Sequence, residues 1–451
     1  MSNKTSLVRG LSLTDAIAIV VGSIIGTGVF LKTATMSQLV GNPSYVLLAW
    51  VVAGALSLFG AFAYSELGSL MPDAGGEYVY LKEGYGDIWA FLYGWMRFWI
   101  GGPGTIAAYS VGAMTFASGM VDLSIVGGKT SAAVMIIILF STINCFSVAV
   151  GGAVQAFMTA IKLVMILGIS FGIFLFSKTG SMAHFYESAS GGETAFNISA
   201  FGSAVLAALW AFDGWNNLPM VAGEVKNPQK NVPLALGVGV LAILGIYGLT
   251  NLAYFYALPF SEVLTSNSND FPDALPVATK AALTFLGENG VAILSAAFVF
   301  SALGAMNGSI IAASRVPFAM AHDGLFFKQL AQVNKKTHVP VISVVVQAVV
   351  SIALALSGTF DQLTDYVVFA SWIFYAAVTG VVFVLRYRKP DLERSYKTIG
   401  YPVLPIIFIL MGILLLVNTV VTNPTGTFIG MGMILAGVPF YYYFKAKNKS
   451  N

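Results

Sequence analysis

The chain has 451 residues, 57% hydrophobic and 10% charged, whereas an ordinary soluble domain carries roughly 25% charged residues. A soluble globular protein is therefore excluded. Long apolar runs without low-complexity tracts exclude disordered, fibrous and coiled-coil classes as well. The net charge of +3 comes from 23 basic and 20 acidic residues spread through short loops, with no dense basic tract to neutralise phosphates, so nucleic acid is not an expected partner. What remains is a protein whose solvent is the lipid bilayer.

A hydrocarbon core about 30 Å thick takes about 20 apolar residues per helix. Runs of that kind, bounded by Gly, Pro and charges, predict twelve spans, over 12–40, 43–71, 87–118, 131–149, 153–177, 198–221, 233–259, 288–318, 340–358, 364–387, 402–421 and 426–444. All are expected to be helices, because lipid offers no partner to an open backbone and the runs are too long and unalternating for barrel strands. Lys4 and Arg9 precede the first span without a small-residue cleavage site, so no cleaved signal peptide is expected. With both termini cytoplasmic, seventeen Lys and Arg residues face inward, three (Lys129, Lys178 and Lys280) face outward, and three (Lys32, Arg97 and Lys162) lie within spans. That bias predicts a multi-pass protein of the cell membrane with both ends inside.

Nothing in the connecting segments suggests an enzyme. The longest, 260–287 and 319–339, hold no cluster of catalytic residues, and His184, His322 and His338 are far apart in sequence. No metal site and no cofactor are expected. Cys145 is the only cysteine, so no internal disulfide can form.

Two spans are interrupted. The first contains Gly22-Ser23-Ile24-Ile25-Gly26-Thr27-Gly28. Three glycines in seven residues weaken a helix by about 1 kcal/mol each relative to alanine and let the backbone unwind; Gly22 and Gly26, four apart, also suit a small-residue packing face. The sixth span carries Trp210-Ala211-Phe212-Asp213-Gly214-Trp215-Asn216-Asn217-Leu218-Pro219, an acid, a glycine, two asparagines and a proline inside an apolar run. Helices one and six open the two halves of a ten-helix core, and paired broken helices in corresponding positions point to a transporter site. Where a helix unwinds and restarts, free N–H groups and the positive end of the new half-helix favour an anion, here at Thr27 and Gly28. The carbonyls that end the preceding half-helices, around Ile24, Trp210 and Ala211, attract a cation. A carboxylate site beside an ammonium site describes an amino acid. Trp210 is the bulkiest candidate for reading its side chain, or else belongs to the core or the lipid-facing belt.

Lys162, in Ala160-Ile161-Lys162-Leu163-Val164, lies deep in the fifth span. A lysine there must be paired, solvated or neutral. Three readings stay open: an ammonium bridge in place of a sodium ion, a proton carrier, or a side chain snorkelling to the cytoplasmic interface. Glu66 and Arg97 read as gate or packing charges, and Lys32 as a snorkelling surface lysine.

On these residues the chain resembles the amino acid–polyamine–organocation superfamily, and within it the L-type amino acid transporter branch. The likeness rests on Gly22 through Phe30, on Ala63-Tyr64-Ser65-Glu66-Leu67-Gly68 running into Pro72-Asp73-Ala74-Gly75-Gly76-Glu77-Tyr78, on Gly223-Glu224-Val225-Lys226-Asn227-Pro228, and on Asn307-Gly308 through Ser314-Arg315 into His322-Asp323-Gly324. The resemblance implies an all-α membrane protein with a LeuT-like five-plus-five inverted repeat, helices 1 and 6 unwound, and alternating access. It divides the chain into 1–178, 198–389 and two added helices in 402–445. It implies a substrate-binding set of Ser23, Ile24, Gly26, Thr27, Gly28, Trp210, Ala211 and Asp213, with the carboxylate on the amides of Thr27 and Gly28 and the amine on the carbonyls of Ile24, Trp210, Ala211 and Asp213. It also implies a coupling and gating set of Lys162, Gly22, Ser301 and Asn216, in which Lys162 bridges toward Gly22 and Ser301.

The family often has phenylalanine at the position of Trp210 and glycine at that of Asp213. The larger indole favours small neutral substrates such as serine, threonine or alanine, although an acid nearby could select a cationic side chain. Animal relatives pair with a glycoprotein subunit through a cysteine in the outer loop before helix four. Residues 119–130 contain none, so no disulfide-linked subunit is expected, and a prokaryotic single-subunit protein fits better. The expected activity is sodium-independent exchange of small neutral L-amino acids; its alternative is a proton-coupled amino acid or polyamine symporter of the same fold.

Overall fold

The computed structural model describes residues 7–118, 120–189, 195–268, 270–271, 274–357, 360–422 and 424–449. Among the described residues the secondary structure is helical, apart from one isolated bridge pairing Leu11 with Val225. In chain order the α-helices are α1 (Leu13–Ile24), α2 (Gly28–Val40), α3 (Pro43–Leu70), α4 (Glu77–Tyr85), α5 (Asp87–Met96), α6 (Gly102–Ala117) and α7 (Lys129–Phe146). There follow α8 (Val148–Phe176), α9 (Ile198–Phe212), α10 (Asn217–Met220), α11 (Pro228–Ala257), α12 (Phe260–Leu264), α13 (Val277–Leu286) and α14 (Asn289–Ala313). The chain ends with α15 (Arg315–His322), α16 (Val341–Ser357), α17 (Phe360–Arg388), α18 (Val403–Thr422), α19 (Pro424–Leu435) and α20 (Gly437–Lys449).

Among the described residues, eight helical stretches are long and apolar enough to cross a membrane, and the shorter apolar helices include Lys129–Asn144, Ile198–Phe212 and Val341–Ser357. The fold is that of a multi-pass membrane protein. Local chemistry sets most boundaries. Ser12 and Asp15 form a reciprocal capping box that starts α1. Asn42 caps α3 with Pro43 in its first turn, and the Asn197 carboxamide accepts from Ser199 and Ala200 at the start of α9. Three expectations are corrected. The helix expected from 153 begins at Val148, because the Ser147 hydroxyl caps it and Gly151 and Gly152 are absorbed into the helix. The helix expected from 233 begins at Pro228, with Pro233 inside it. The segments 260–287 and 319–339, read as loops, hold α12, α13 and the end of α15, short helices that apolar-run scanning passes over.

The two interrupted helices lie side by side. The first half-helix α1 packs on α10, and α2 packs on α9. First half against second half makes the pair antiparallel. Around it α1 also contacts α8, α11 and α14, while α3 packs most extensively on α11. Between α5 and α6 one π-helical turn, Arg97–Gly101, carries the buried Arg97.

At the end of the bundle where α1 begins, charged residues tie the elements together. The Arg315 guanidinium donates to both Glu224 oxygens at 2.7 and 3.0 Å, with both side chains buried. Lys82 of α4 meets Asp323 at 2.6 Å. Glu66, read from sequence as a gate or packing charge, is packed. It accepts from Arg386, Arg394 and both the amide and hydroxyl of Thr398, pinning the segment between α17 and α18 to α3. Removing one partner of a buried pair leaves the other charge uncompensated. Glu224→Gln is therefore expected to cost about 3–5 kcal/mol, seen as a lowered unfolding midpoint of the detergent-purified protein. Glu83→Gln, which breaks the exposed Lys389–Glu83 pair, should cost under about 1 kcal/mol.

Candidate functional site

A helix that stops inside the membrane leaves its last carbonyls without intrahelical donors. At the first interruption, Ile25–Thr27, other helices supply those donors. The Lys162 Nζ on α8 lies 2.6 Å from the Gly22 carbonyl and 2.6 Å from that of Ile25, and its side chain is buried. Lys162 therefore does not snorkel. The Ser301 hydroxyl on α14 lies 2.8 Å from the Gly26 carbonyl and 3.1 Å from that of Ile25. Gly304, one turn along α14, leaves the room Lys162 needs: a Cβ there would stand 2.5 Å from Lys162 Cε.

The second interruption is Asp213–Asn216, between α9 and α10. Gly214 has φ +113°, and a Cβ on it would lie 2.8 Å from the Ser23 carbonyl oxygen, so both the turn and the close approach of the two breaks require glycine. Gly28, at the start of α2, sits equally close to Ala211. The Tyr247 hydroxyl on α11 joins the two ends, 3.0 Å from the Ile24 carbonyl and 3.1 Å from that of Ala211. The sequence reading left both carbonyls free for a ligand's ammonium. They are instead already engaged by Tyr247, whose single proton serves one of them at a time and leaves lone pairs available on each. The Trp210 carbonyl accepts the Asp213 amide at 3.2 Å, as a last helical bond.

The start of α2 is different. Thr27 is its N-cap residue, yet no side chain caps the helix. The Thr27 hydroxyl there is buried without a hydrogen-bond partner; the Ser23 hydroxyl, also buried without one, lies on the seam with α14 at Gly308. An uncapped, positive helix end suits an anion. Trp210 packs with Ile100 and Val367, and its ring lies 6.4 Å from that of Tyr109. The Tyr109 ring in turn faces Gly26, where a Cβ would stand 2.9 Å from its hydroxyl. Asp213, half-buried, accepts from the Tyr375 hydroxyl at 2.6 Å.

Gly22, Ser23, Ile24, Gly26, Thr27, Gly28, Lys162, Ala211 and Ser301 thus converge on the paired breaks. Asn216 is joined to a different group. Its carboxamide donates to Glu77 at 3.3 Å, and that buried carboxylate also accepts from Tyr64 and Tyr93. Tyr247, Tyr375, Tyr109 and Gly304 went unnoticed in the sequence. Each is an ordinary tyrosine or glycine of an apolar helix, and only the packing of distant helices gives it a role.

The chain matches the amino acid permease family over residues 11–443. It is 33% identical to the serine/threonine exchanger SteT of Bacillus subtilis (strain 168), across 98% of either chain. It is 32% identical to the human cystine/glutamate transporter and 30% identical to the mouse b(0,+)-type amino acid transporter 1, in each case across 98% of this chain, and across 86% and 88% of those relatives respectively. With a family match across nearly its whole length, the chain belongs to the amino acid permease family; it is a transporter related to the L-type branch and not an enzyme.

Proposed function

We propose that the protein exchanges small neutral L-amino acids, such as serine, threonine and alanine, across the cell membrane by sodium-independent alternating access. One observation carries the reading: the ammonium of Lys162 occupies the carbonyl cluster of the broken first helix, at Gly22 and Ile25. A cluster already neutralised by a fixed cation has no need of a sodium ion. The uncapped start of α2, with the unpartnered hydroxyl of Thr27, suits the substrate carboxylate. The carbonyls of Ile24, Trp210, Ala211 and Asp213 would then take the substrate's ammonium, those of Ile24 and Ala211 sharing their lone pairs with Tyr247. The bulk of Trp210 favours a small side chain, and the serine/threonine exchanger among the relatives supports exchange.

The reading includes twelve spans, with inverted repeats in 1–178 and 198–389 and two further helices in 402–445; the antiparallel packing of the two broken helices supports it. The distribution of Lys and Arg supports cytoplasmic termini. The protein acts without a disulfide-linked subunit, in keeping with a single cysteine, Cys145, on an apolar helix.

In sodium-free proteoliposomes, labelled L-serine is expected to enter only when unlabelled amino acid is present inside. Entry into empty vesicles driven by an imposed pH gradient would replace exchange by proton symport through Lys162. Lys162→Ala is expected to change turnover, or its asymmetry between the two faces, more than affinity; wild-type kinetics on both faces would remove Lys162 from coupling. Asp213→Gly, which also releases Tyr375, is expected to shift which amino acids compete with serine while the protein stays monodisperse. An unchanged competition series would place Asp213 outside the selectivity site.

A further inference from the structure

Lys162 is the last rung of a longer zipper. On α8, Gln155, Thr159 and Lys162 fall four and then three residues apart, along one helix face. They meet carbonyls of α1 and its C-cap. The Thr159 hydroxyl lies 3.1 Å from the Ala18 carbonyl and Gln155 Nε2 lies 3.4 Å from it, while Lys162 serves Gly22 and Ile25. Position increases along both helices together, so α1 and α8 run parallel. Glycines make the seam thin: a Cβ on Gly22 would stand 2.1 Å from the Thr159 hydroxyl, and one on Gly308 of α14 would stand 2.3 Å from the Ser23 hydroxyl.

The end of the zipper farthest from the break is held by a chain of buried carboxamides. Asn307 Nδ2 on α14 donates to Gln155 Oε1 at 2.9 Å, and the Asn307 oxygen accepts from Asn144 Nδ2 of α7 at 2.8 Å. Asn144 also donates to the Phe140 carbonyl at 2.8 Å. All three side chains are buried. The chain runs α7, α14, α8, α1, and each carboxamide uses its neighbour as donor or acceptor.

We propose that Gln155, Asn307 and Asn144 form a latch that holds the half-helix α1 against α14 and sets how often the substrate path opens at the end where α1 begins. They are positioning residues, and the proposal rests on the alternating-access reading. The physical basis is the cost of unpaired amides. In a dry, apolar setting, pulling α1 and α8 away from α14 strands a carboxamide donor and acceptor at once. Once water enters, the same groups are solvated, and the latch holds nothing. Opening is therefore all-or-none with hydration of the path, and weakening the latch shifts the balance toward the open form.

The test uses the full chain with Cys145→Ala and a reporter, Ile311→Cys. Ile311 lies one turn beyond Asn307, buried against Gly151 of α8. In vesicles, Gln155→Leu and Asn307→Leu are each expected to raise the rate at which a membrane-impermeant cationic thiol reagent modifies the reporter by roughly tenfold. That ratio corresponds to about 1.4 kcal/mol. It should appear only with the reagent on the face where α1 begins, and the double Leu variant should gain no more than a single one. Unchanged rates in both single variants, or multiplied effects in the double, would overturn the latch. If the leucine variants do not fold, Asn144→Ala, which removes the donor to the Asn307 oxygen, decides: a faster reporter reaction supports the latch and an unchanged one overturns it. The wild-type serine exchange assay fails or succeeds separately from these rates, so loss of the transport reading and loss of the latch give different results.

Discussion

The structure depends on a requirement that lipid imposes and a broken helix violates: every backbone polar group needs a partner within the protein. Stopping α1 at Ile24 and α9 at Phe212 releases carbonyls into a region where water is excluded. Three side chains on three helices answer this: Lys162 from α8, Ser301 from α14 and Tyr247 from α11. The strongest is a charge placed against two dipoles, since an ammonium is itself affordable at that depth only among acceptors. Break and lysine therefore stabilise one another. The unwound segment explains the buried cation, and the cation explains how the segment stays unwound.

The two ends of the break are treated differently. The carbonyls of Gly22, Ile24 and Ile25 meet side-chain donors from other helices, whereas the start of α2 keeps an uncapped positive end beside the unpartnered Thr27 hydroxyl. The second break contributes position more than charge. Gly214 and Gly28 let the two unwound segments touch backbone to backbone, and Tyr247 ties their ends.

Away from the site, the ion pairs among the described residues lie at the end of the bundle where α1 begins. Glu224 with Arg315, Lys82 with Asp323, and Glu66 with Arg386 and Arg394 join segments that are far apart in sequence. The Leu11 backbone adds two hydrogen bonds, with its amide donating to Glu224 and its carbonyl accepting from Lys226. That end is tied together by several interactions of different kinds. The carboxamide chain lies deeper, between α14 and α8, where the proposed latch would act.

Much of this was legible in the sequence. Composition and run length determined a bundle of membrane helices, because hydrocarbon permits few alternatives. The glycines near Gly26 and the polar residues near Asp213 marked both breaks, because such residues are costly in an apolar helix unless something there uses them. Lys162 was conspicuous for the same reason, a charge where charge is expensive. Boundaries were less secure where the signal was a cap, as at Ser147, or where an amphipathic helix such as α4 carried no long apolar run. The tertiary structure alone decided the partners. Nothing local distinguishes Tyr247 from other tyrosines, Gly304 from a packing glycine or Asn307 from a polar residue facing a neighbour, since their roles depend on which carbonyl or carboxamide a distant helix presents. Sequence shows where a group is costly to bury; only the packed fold shows which group on another helix offsets that cost.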